Sequence, residues 1–399
     1  MKTQRHRLPK DERTRVSLAP YFLLGLVLPI DTVTGVPPIL FDLLRYGLAI
    51  VIVLSARSRP RGRNLNTLLS FVTLLLMTSG ALAIVKSIVF DSDLFTGAVA
   101  FVSPLAAFLV VRKMYHHRWI MLGFVAGCAL SAIDIILQVN GLPYLGVPSD
   151  WGFRYSGFSF SSTKVAPFLA VALCVVITRW AWAEQRAVLR VLLATPLLVA
   201  LFFSQGRVGV AGLLAALTVF GLTILARRPL AGLGLLLVGI PALHFSGVFS
   251  ALLDYVLRSD VPGVTDLSSG RGIRNSAAWD AFSAGGLLGV DPATRQYLNP
   301  HIAPLTSGVD VGPFGFFATS VVCLFLAYMM FFASKRIPMV FRMIAAVALA
   351  TAFIEPNGFF VGFSGTLLVA LCFAQFAHMG ETSNGWAGPA GTAARIGDI

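Results

Sequence analysis

Most charged clusters of this 399-residue chain are separated by apolar runs. These runs are about 20 residues long, which is the length at which a helix crosses the hydrocarbon core of a bilayer. Apolar residues make up 56% of the chain and charged residues only 12%, about half the charged fraction of a soluble domain. The pattern predicts an all-α, polytopic membrane protein and excludes a soluble or disordered chain.

We count about twelve candidate membrane spans, of which prolines interrupt the first two. Their centres lie near residues 24, 47, 78, 103, 128, 170, 197, 217, 239, 323, 346 and 368. The count divides the chain into an N-terminal bundle of about nine spans (1–249), an external loop domain (250–312), about three further spans (313–379) and a disordered tail (380–399).

The basic residues predict the orientation of these spans. Most of the 31 Lys and Arg residues stand in short clusters on one face of the twelve-span arrangement. The positive-inside rule assigns that face, with both termini, to the cytoplasm. The net charge of +13 is therefore explained by topology, and we expect no nucleic-acid partner.

Arg207 lies at the outer end of a predicted span, in the segment Ser204-Gln-Gly-Arg-Val-Gly-Val-Ala-Gly212. The glycines at 206, 209 and 212 allow close approach between helices. The guanidinium needs a partner at this position. A nearby aspartate or lipid headgroups would serve, and so would an anionic ligand such as a diphosphate, which the planar fork of arginine binds in bidentate fashion.

The external loop carries two arginines and a histidine. Arg271 and Arg274 stand three residues apart beside glycines, whose open backbone N–H groups favour an anion. A salt bridge with Asp266 or Asp280 is the structural alternative. His301 is expected to be exposed and is either simply solvated or placed to take a proton from a hydroxyl near neutral pH.

Apolar residues of this loop also recur at helical spacing. They are Ile273, Ala277, Ala278, Ala281 and Phe282. This spacing predicts a short amphipathic helix with Arg274 near its start.

Other patterns give little support to metal or transport chemistry. Asp91 and Asp93 form an Asp-x-Asp pair that suits a divalent cation, but at a short turn such a pair is commonly only solvated. Arg45, Lys86 and Asp134 fall within or at the ends of spans, where each is expected to pair or snorkel. Walker, nucleophile-elbow, His-Glu-x-x-His and Cys-x-x-Cys motifs do not occur in the sequence, which disfavours ATP-driven transport and hydrolase chemistry.

The topology and these motifs resemble the O-antigen ligase and polymerase superfamily of bacterial membrane glycosyltransferases. The matching residues are Ser269-Gly-Arg271, Trp279, Gly285-Gly-Leu-Leu-Gly289, His301 and Asp310-Val-Gly312-Pro-Phe-Gly315. Arg274 nearly restores the spacing to Trp279 that is usual in the family, so either loop arginine can be the counterpart.

The resemblance implies transfer of a sugar chain from undecaprenyl diphosphate to an acceptor hydroxyl, on the periplasmic side of the inner membrane and without metal or other cofactor. The implied site comprises Arg207, Arg271, Arg274, Trp279, His301 and Asp310. In such a site the arginines neutralise the leaving diphosphate and His301 is the general base. Trp279 and Asp310 are expected to contact the substrate, and the anomeric carbon is inverted.

Three functions remain open at this stage. The first is a polymerase of lipid-linked repeat units of an O-antigen or exopolysaccharide, favoured because the residues around His301 and the loop arginines depart from the usual pattern. The second is a ligase that transfers the finished glycan to lipid A core. The third is a flippase or other transporter of lipid-linked sugars, which should place its charges along a path through mid-membrane. The expected partners are the lipid-linked oligosaccharide, an acceptor glycan or glycolipid, and membrane lipids.

Overall fold

The described part of the chain is helical. The structure, a computed structural model, describes residues 18–55, 63–113, 117–147, 154–178, 187–227, 229, 237, 245–247, 250, 271–298, 300–332, 337–355 and 362–382. Within these ranges the only β-type pairings are two isolated bridges, Val33 with Val36 and Gly286 with Gly289. The predicted all-α class is confirmed for this part of the chain.

Thirteen helices lie within the described ranges. In chain order they are α1 (Ala19–Val27), α2 (Ile39–Ser55), α3 (Arg63–Val89), α4 (Leu94–Lys113), α5 (His117–Val139), α6 (Ser162–Ile177), α7 (Ala187–Phe203), α8 (Arg207–Arg227), α9 (Arg271–Ala284), α10 (Pro292–Arg295), α11 (Ala303–Phe331), α12 (Met339–Ile354) and α13 (Phe363–Thr382).

Five of these helices, α3, α4, α5, α8 and α11, are long and apolar enough to cross a membrane. Shorter apolar helices are α6, α7, α12 and the Phe363–Gln375 part of α13. Helix α1 has nine residues, about 13 Å at 1.5 Å per residue, which is less than half of the hydrocarbon core. Eleven of the predicted span centres fall within a described helix, whereas the one near residue 239 lies outside the described residues, as does the tail from 383 onward.

Closely spaced glycines pack α8 against α6 and α12. A Cβ atom at Gly206 would lie 2.2 Å from Cβ of Ala166, and one at Gly209 would lie 2.5 Å from the backbone of Ala166. At Gly212 the nearest atom would be Cγ1 of Val347, at 3.1 Å. The backbones of α8 and α6 therefore approach as the glycine spacing predicts, and larger side chains at 206 and 209 would force the two helices apart.

Helices α8 and α12 are antiparallel. Beyond the crossing of Gly212 with Val347, the guanidinium of Arg342, near the start of α12, donates to the hydroxyl of Thr223, near the end of α8, over 3.0 Å. The start of α8 and the end of α12 therefore lie at the same end of the bundle. At 1.5 Å per residue, Arg207 and Glu355 lie about 8 and 12 Å from the crossing in the same direction. We call this end of the bundle the site end.

Two buried charged residues within the helices, Arg45 and Asp134, have polar partners beside them. Arg45 is 5% exposed, and its guanidinium pairs with Asp31 over 2.6 Å and with Asp42 over 2.7 Å. Asp134 accepts from Nε2 of Gln138 over 2.7 Å and from the backbone N–H groups of residues 145 and 146. Because each charge is paired where it stands, these groups stabilise helix ends and connections.

Helix α11 is broken at Val311 and Gly312. Gly312 has φ 79° and ψ −164°, and Val311 also departs from helical geometry. Pro313, which follows, has no N–H group, so the carbonyl four residues earlier loses its helical partner. The break therefore leaves backbone acceptors that must be satisfied from outside the helix.

Lys86, near the end of α3, hydrogen-bonds to these backbone acceptors. Its Nζ donates to the carbonyl of Asp310 over 2.6 Å and to that of Val309 over 3.3 Å. The N–H of Val290 also donates to the carbonyl of Val309, over 2.9 Å. Lys86, which was expected to pair or snorkel near a span end, thus links α3 to the break in α11.

The turn formed by residues 285–289 packs against the same break. Gly289 has φ +80°, and a Cβ atom there would lie 2.5 Å from the carbonyl oxygen of Val309. A Cβ atom at Gly312 would lie 2.2 Å from the carbonyl oxygen of Leu287. Two glycine-containing motifs of the sequence therefore meet in space, and each requires glycine for both its backbone conformation and its close approach.

Helix α9 forms where the loop pattern predicted an amphipathic helix. Ala278 is fully buried and lies in a small core with Leu305 and Val309, against which Phe282 packs. Ile273 departs from the expected apolar face, because it is 75% exposed. The small core fixes α9 onto the first part of α11.

Candidate active site

His301 lies in the connection before α11 and is buried. Its residue is 7% exposed, which corrects the expectation of an exposed loop histidine. Its backbone N–H donates to Oδ1 of Asn275 over 2.8 Å, so α9 fixes the position of this connection. Burial removes the simple explanation of a solvated loop histidine.

The imidazole of His301 stands between groups of opposite charge. Its Nδ1 lies 3.4 Å from Oε2 of Glu355, at the end of α12. Its Nε2 lies 3.5 Å from Nη1 of Arg274, on α9. The Nδ1 contact is within ion-pair range but lacks hydrogen-bond alignment, so this buried nitrogen has no hydrogen-bond partner.

Arg274 is the exposed neighbour of the histidine. It is exposed and pairs with no carboxylate in the described part of the chain. Asp280, a proposed salt-bridge partner on the same helix, does not pair with it, and Asp266 lies outside the described residues. The guanidinium is therefore accessible to an anion from solution or from the membrane surface.

The other two arginines each stand at the start of a helix. Arg271 is the first residue of α9, so its backbone stands about one turn before Arg274; its side chain and the preceding Ser-Ser-Gly segment are outside the described residues. Arg207 is the first residue of α8 and lies at the site end, as Glu355 does. The structure joins Arg274, His301 and Glu355 directly, and brings Arg207 to the same end through helix packing.

Trp279 and Asp310 are engaged by other side chains. Trp279, 49% exposed, packs against Phe282 and Phe316 with ring centroids 5.6 and 5.9 Å apart. The carboxylate of Asp310 forms an ion pair with Arg295. Trp279 presents an accessible aromatic face, whereas Asp310 is tied to the loop by Arg295 and to α3 by its own carbonyl.

Asp93 has a structural role at the start of α4. Its carboxylate accepts from Oγ1 of Thr96 over 2.5 Å and from the backbone N–H of Phe95 over 3.0 Å. The hydrogen bond from the Thr96 hydroxyl, supported by those backbone N–H groups, lowers the pKa of Asp93. No group of three or more metal-ligating His, Cys, Asp or Glu side chains occurs in the described ranges. Asp93, one of the two residues of the weak metal motif, thus caps α4.

Sequence reasoning did not assign a role to Glu355 or to Asn275. Glu355 stands 54 residues after His301 in the sequence. One signal was present, because Glu355 is an acidic residue directly after an apolar run. Nothing in residue spacing could indicate which side chain it meets, since that contact is made by packing α12 beside α11.

No family model matches the chain, and no curated protein matches it. The resemblance to the O-antigen ligase and polymerase superfamily therefore stays an expectation.

Proposed function

We propose that the chain is a metal-independent, inverting glycosyltransferase that polymerises lipid-linked repeat units of a surface polysaccharide. It would act on the periplasmic face of the bacterial inner membrane, with undecaprenyl-diphosphate-linked glycan as donor. The observation that carries the proposal is the placement of buried His301 between the carboxylate of Glu355 and the guanidinium of Arg274. The site end of the bundle is then the periplasmic end.

His301 is the general base in this proposal. The Glu355 carboxylate, 3.4 Å from Nδ1, would favour the tautomer with the proton on that nitrogen and would stabilise the imidazolium that forms later. Nε2 then carries the lone pair and faces Arg274, whose residue is exposed. An acceptor hydroxyl at Nε2 can therefore lose its proton as it attacks.

The arginines bind the leaving group. In the structure, Arg274 stands 3.5 Å from Nε2, a long contact that costs little to break. When a diphosphate draws the guanidinium toward itself, Nε2 becomes available to the hydroxyl. Arg207 and Arg271 add positive charge at the same end, where charge grows as the glycosidic bond breaks.

The step balances as a single displacement. The acceptor oxygen forms a bond to the anomeric carbon, and its proton passes to Nε2 of His301. The bond between the anomeric carbon and the diphosphate oxygen breaks on the opposite face, which inverts the configuration. Undecaprenyl diphosphate leaves with the electron pair, paired with the arginines.

The placement of buried charges favours an enzyme over a transporter. A transporter should gather polar groups at a central path. Arg45, Lys86 and Asp134 instead each bond to protein groups of their own. The exposed Arg274 lies at the end of the bundle, beside the histidine.

Reconstitution tests the proposal and separates it from the ligase alternative, which uses the same donor chemistry. Purified protein in liposomes is supplied with lipid-linked oligosaccharide alone, and then with lipid A core added. Lengthening of the lipid-linked chain supports a polymerase, and transfer only to lipid A core supports a ligase. A protein that does neither, while it moves the lipid-linked sugar across the bilayer, would overturn the proposal.

A further inference from the structure

The surface beside the candidate site is strongly apolar and points away from the protein. Leu287, in the turn formed by residues 285–289, is 83% exposed. Next to this turn lies an aromatic cluster, defined as Trp279, Phe282 and Phe316, in which Phe282 and Phe316 stack 5.4 Å apart. Isolated apolar residues on a surface need no explanation, but a turn and a cluster that adjoin one another form a patch.

The length of α11 places this patch at the edge of the hydrocarbon core. The part after the break, residues 313–331, measures about 28 Å at 1.5 Å per residue, close to the core thickness of about 30 Å. The break therefore coincides with one boundary of the core if α11 crosses it. Below the break, Phe317 and Leu324 are 53% and 70% exposed, as expected of a lipid-facing helix.

Helix α3 gives a second, independent measure of the same level. It is long and apolar enough to cross the membrane and ends at Val89. Lys86, three residues before that end, reaches the carbonyl of Asp310 at the break. The exposed Asp91 follows directly, so the chain becomes polar at this height. Two helices thus place the boundary at the break in α11.

The patch is fixed to that boundary. The carbonyl of Leu287 abuts Gly312 at the break, and Trp279 packs against Phe316, which lies one turn farther into the membrane. Tryptophan is enriched at this level of membrane proteins, where its ring meets both headgroups and acyl chains. We propose that the turn 285–289 and the aromatic cluster form an interfacial anchor that binds the lipid surface at the site end.

The anchor sets the height of α9 over the membrane. Helix α9 carries Arg274 and, through Asn275, positions His301. With its last turn held in the headgroup region, the guanidinium stays at the depth where a lipid-linked diphosphate lies. This consequence rests on the proposed function, but the lipid contact itself does not.

Spin labelling measures the lipid contact directly. A nitroxide on Leu287→Cys in the full-length protein, in nanodiscs of phosphatidylethanolamine and phosphatidylglycerol, is tested for collision with oxygen and with a water-soluble nickel chelate. The four native cysteines are buried, so labelling is selective for the new thiol. The matched control is Ala293→Cys, an exposed position in α10 beside Asp291.

We expect a several-fold higher ratio of oxygen to nickel collisions at 287 than at 293. Equal ratios at the two positions would overturn the anchor. Because the measurement uses no glycan donor, it gives the same answer whether or not the protein transfers sugars. A chain-transfer assay of Leu287→Asp then tests the consequence, with a raised KM for the lipid-linked donor as the expected result. An unchanged KM would overturn the role of the anchor in setting the height of α9.

Discussion

His301 is the side chain on which the proposed chemistry depends, because it is the group placed to take the proton of the acceptor. Its burial and its two charged neighbours distinguish it from a surface histidine. General-base catalysis by a positioned histidine contributes about 10²–10⁴-fold. The consequences of changing this residue and its neighbours are therefore large and separable.

Replacing His301 by Gln should lower kcat for chain transfer by about 10²–10⁴-fold, since glutamine keeps polarity but cannot accept the proton. Glu355→Gln should lower kcat less, with little change in the donor KM, because the imidazole remains but loses its orienting charge. Steady-state kinetics on purified variants measure both effects. Asp280→Asn is the matched control on α9 and should behave as wild type; full activity of His301→Gln would remove the general base.

Replacing Arg274 by Ala should cost about 2–4 kcal/mol of transition-state stabilisation, as expected for loss of a donor to a developing anion. Arg207→Ala should cost a similar amount. Lysine should restore only part of the activity at either position, because it lacks the planar fork. The ratio of kcat/KM to wild type gives these values, and a complete rescue by lysine would show that only net charge matters.

At the scale of residues, the sequence singled out candidate side chains but not the contacts between them. His301 and the arginines stand out because they are polar residues near or beyond the ends of apolar runs. Glu355 gained a role only from the structure, because its contact with His301 depends on how α12 packs. The contact of Asp310 with substrate stays a prediction, and its ion pair with Arg295 is seen only in the structure.

The elements around the site are held by backbone contacts as much as by side chains. The turn 285–289 and the break in α11 touch through their backbones, and Lys86 caps the carbonyls that the break exposes. Such contacts tolerate no added Cβ atom where the spacing is under 3 Å. They tie the turn that follows α9 to the break in α11.

Gly289→Ala and Gly312→Ala should each lower the thermal unfolding temperature of the purified protein. Each places a side chain at positive φ, with a strain of about 1–3 kcal/mol, and adds a clash with a backbone oxygen. Gly286→Ala is the matched control in the same turn, because a Cβ atom there would have nothing within 4 Å. Equal unfolding temperatures for all three variants would contradict the close packing of turn and break.

At the scale of elements, periodicity and run length predicted α9 and located eleven of the span centres within helices. Run length did not predict that α1 ends after nine residues, where a single apolar run had suggested a span. The sequence shows the cause of the break in α11, which is Gly312-Pro313. It does not show that Lys86 caps the break, because α3 is distant in sequence. Helix existence is a local property, whereas capping and packing are not.

The whole molecule combines an apolar bundle with a charged, histidine-containing site at one end. In the proposed function, arginines take the place of a metal at the diphosphate. Chain transfer by the reconstituted protein should therefore be unchanged by EDTA. Loss of activity with EDTA and its return with Mg²⁺ or Mn²⁺ would contradict this and direct attention back to Asp91 and Asp93.

The fold class followed from the sequence because bilayer thickness dictates helix length, independently of detail. The convergence of α8, α9, α11 and α12 at one end could not follow, because it depends on interhelical contacts such as that of Gly212 with Val347. In the proposed function, this convergence places the general base and the arginines at one end of the bundle, where transfer from a lipid diphosphate takes place.

Single-turnover transfer from bound, radiolabelled lipid-linked oligosaccharide tests this claim most directly. Wild-type protein should elongate the acceptor with inversion at the anomeric carbon. His301→Gln should bind the donor equally well and transfer it about 10²–10⁴-fold more slowly. Arg274→Ala should bind the donor more weakly. If both variants transfer at the wild-type rate with wild-type donor affinity, the account of this site is wrong.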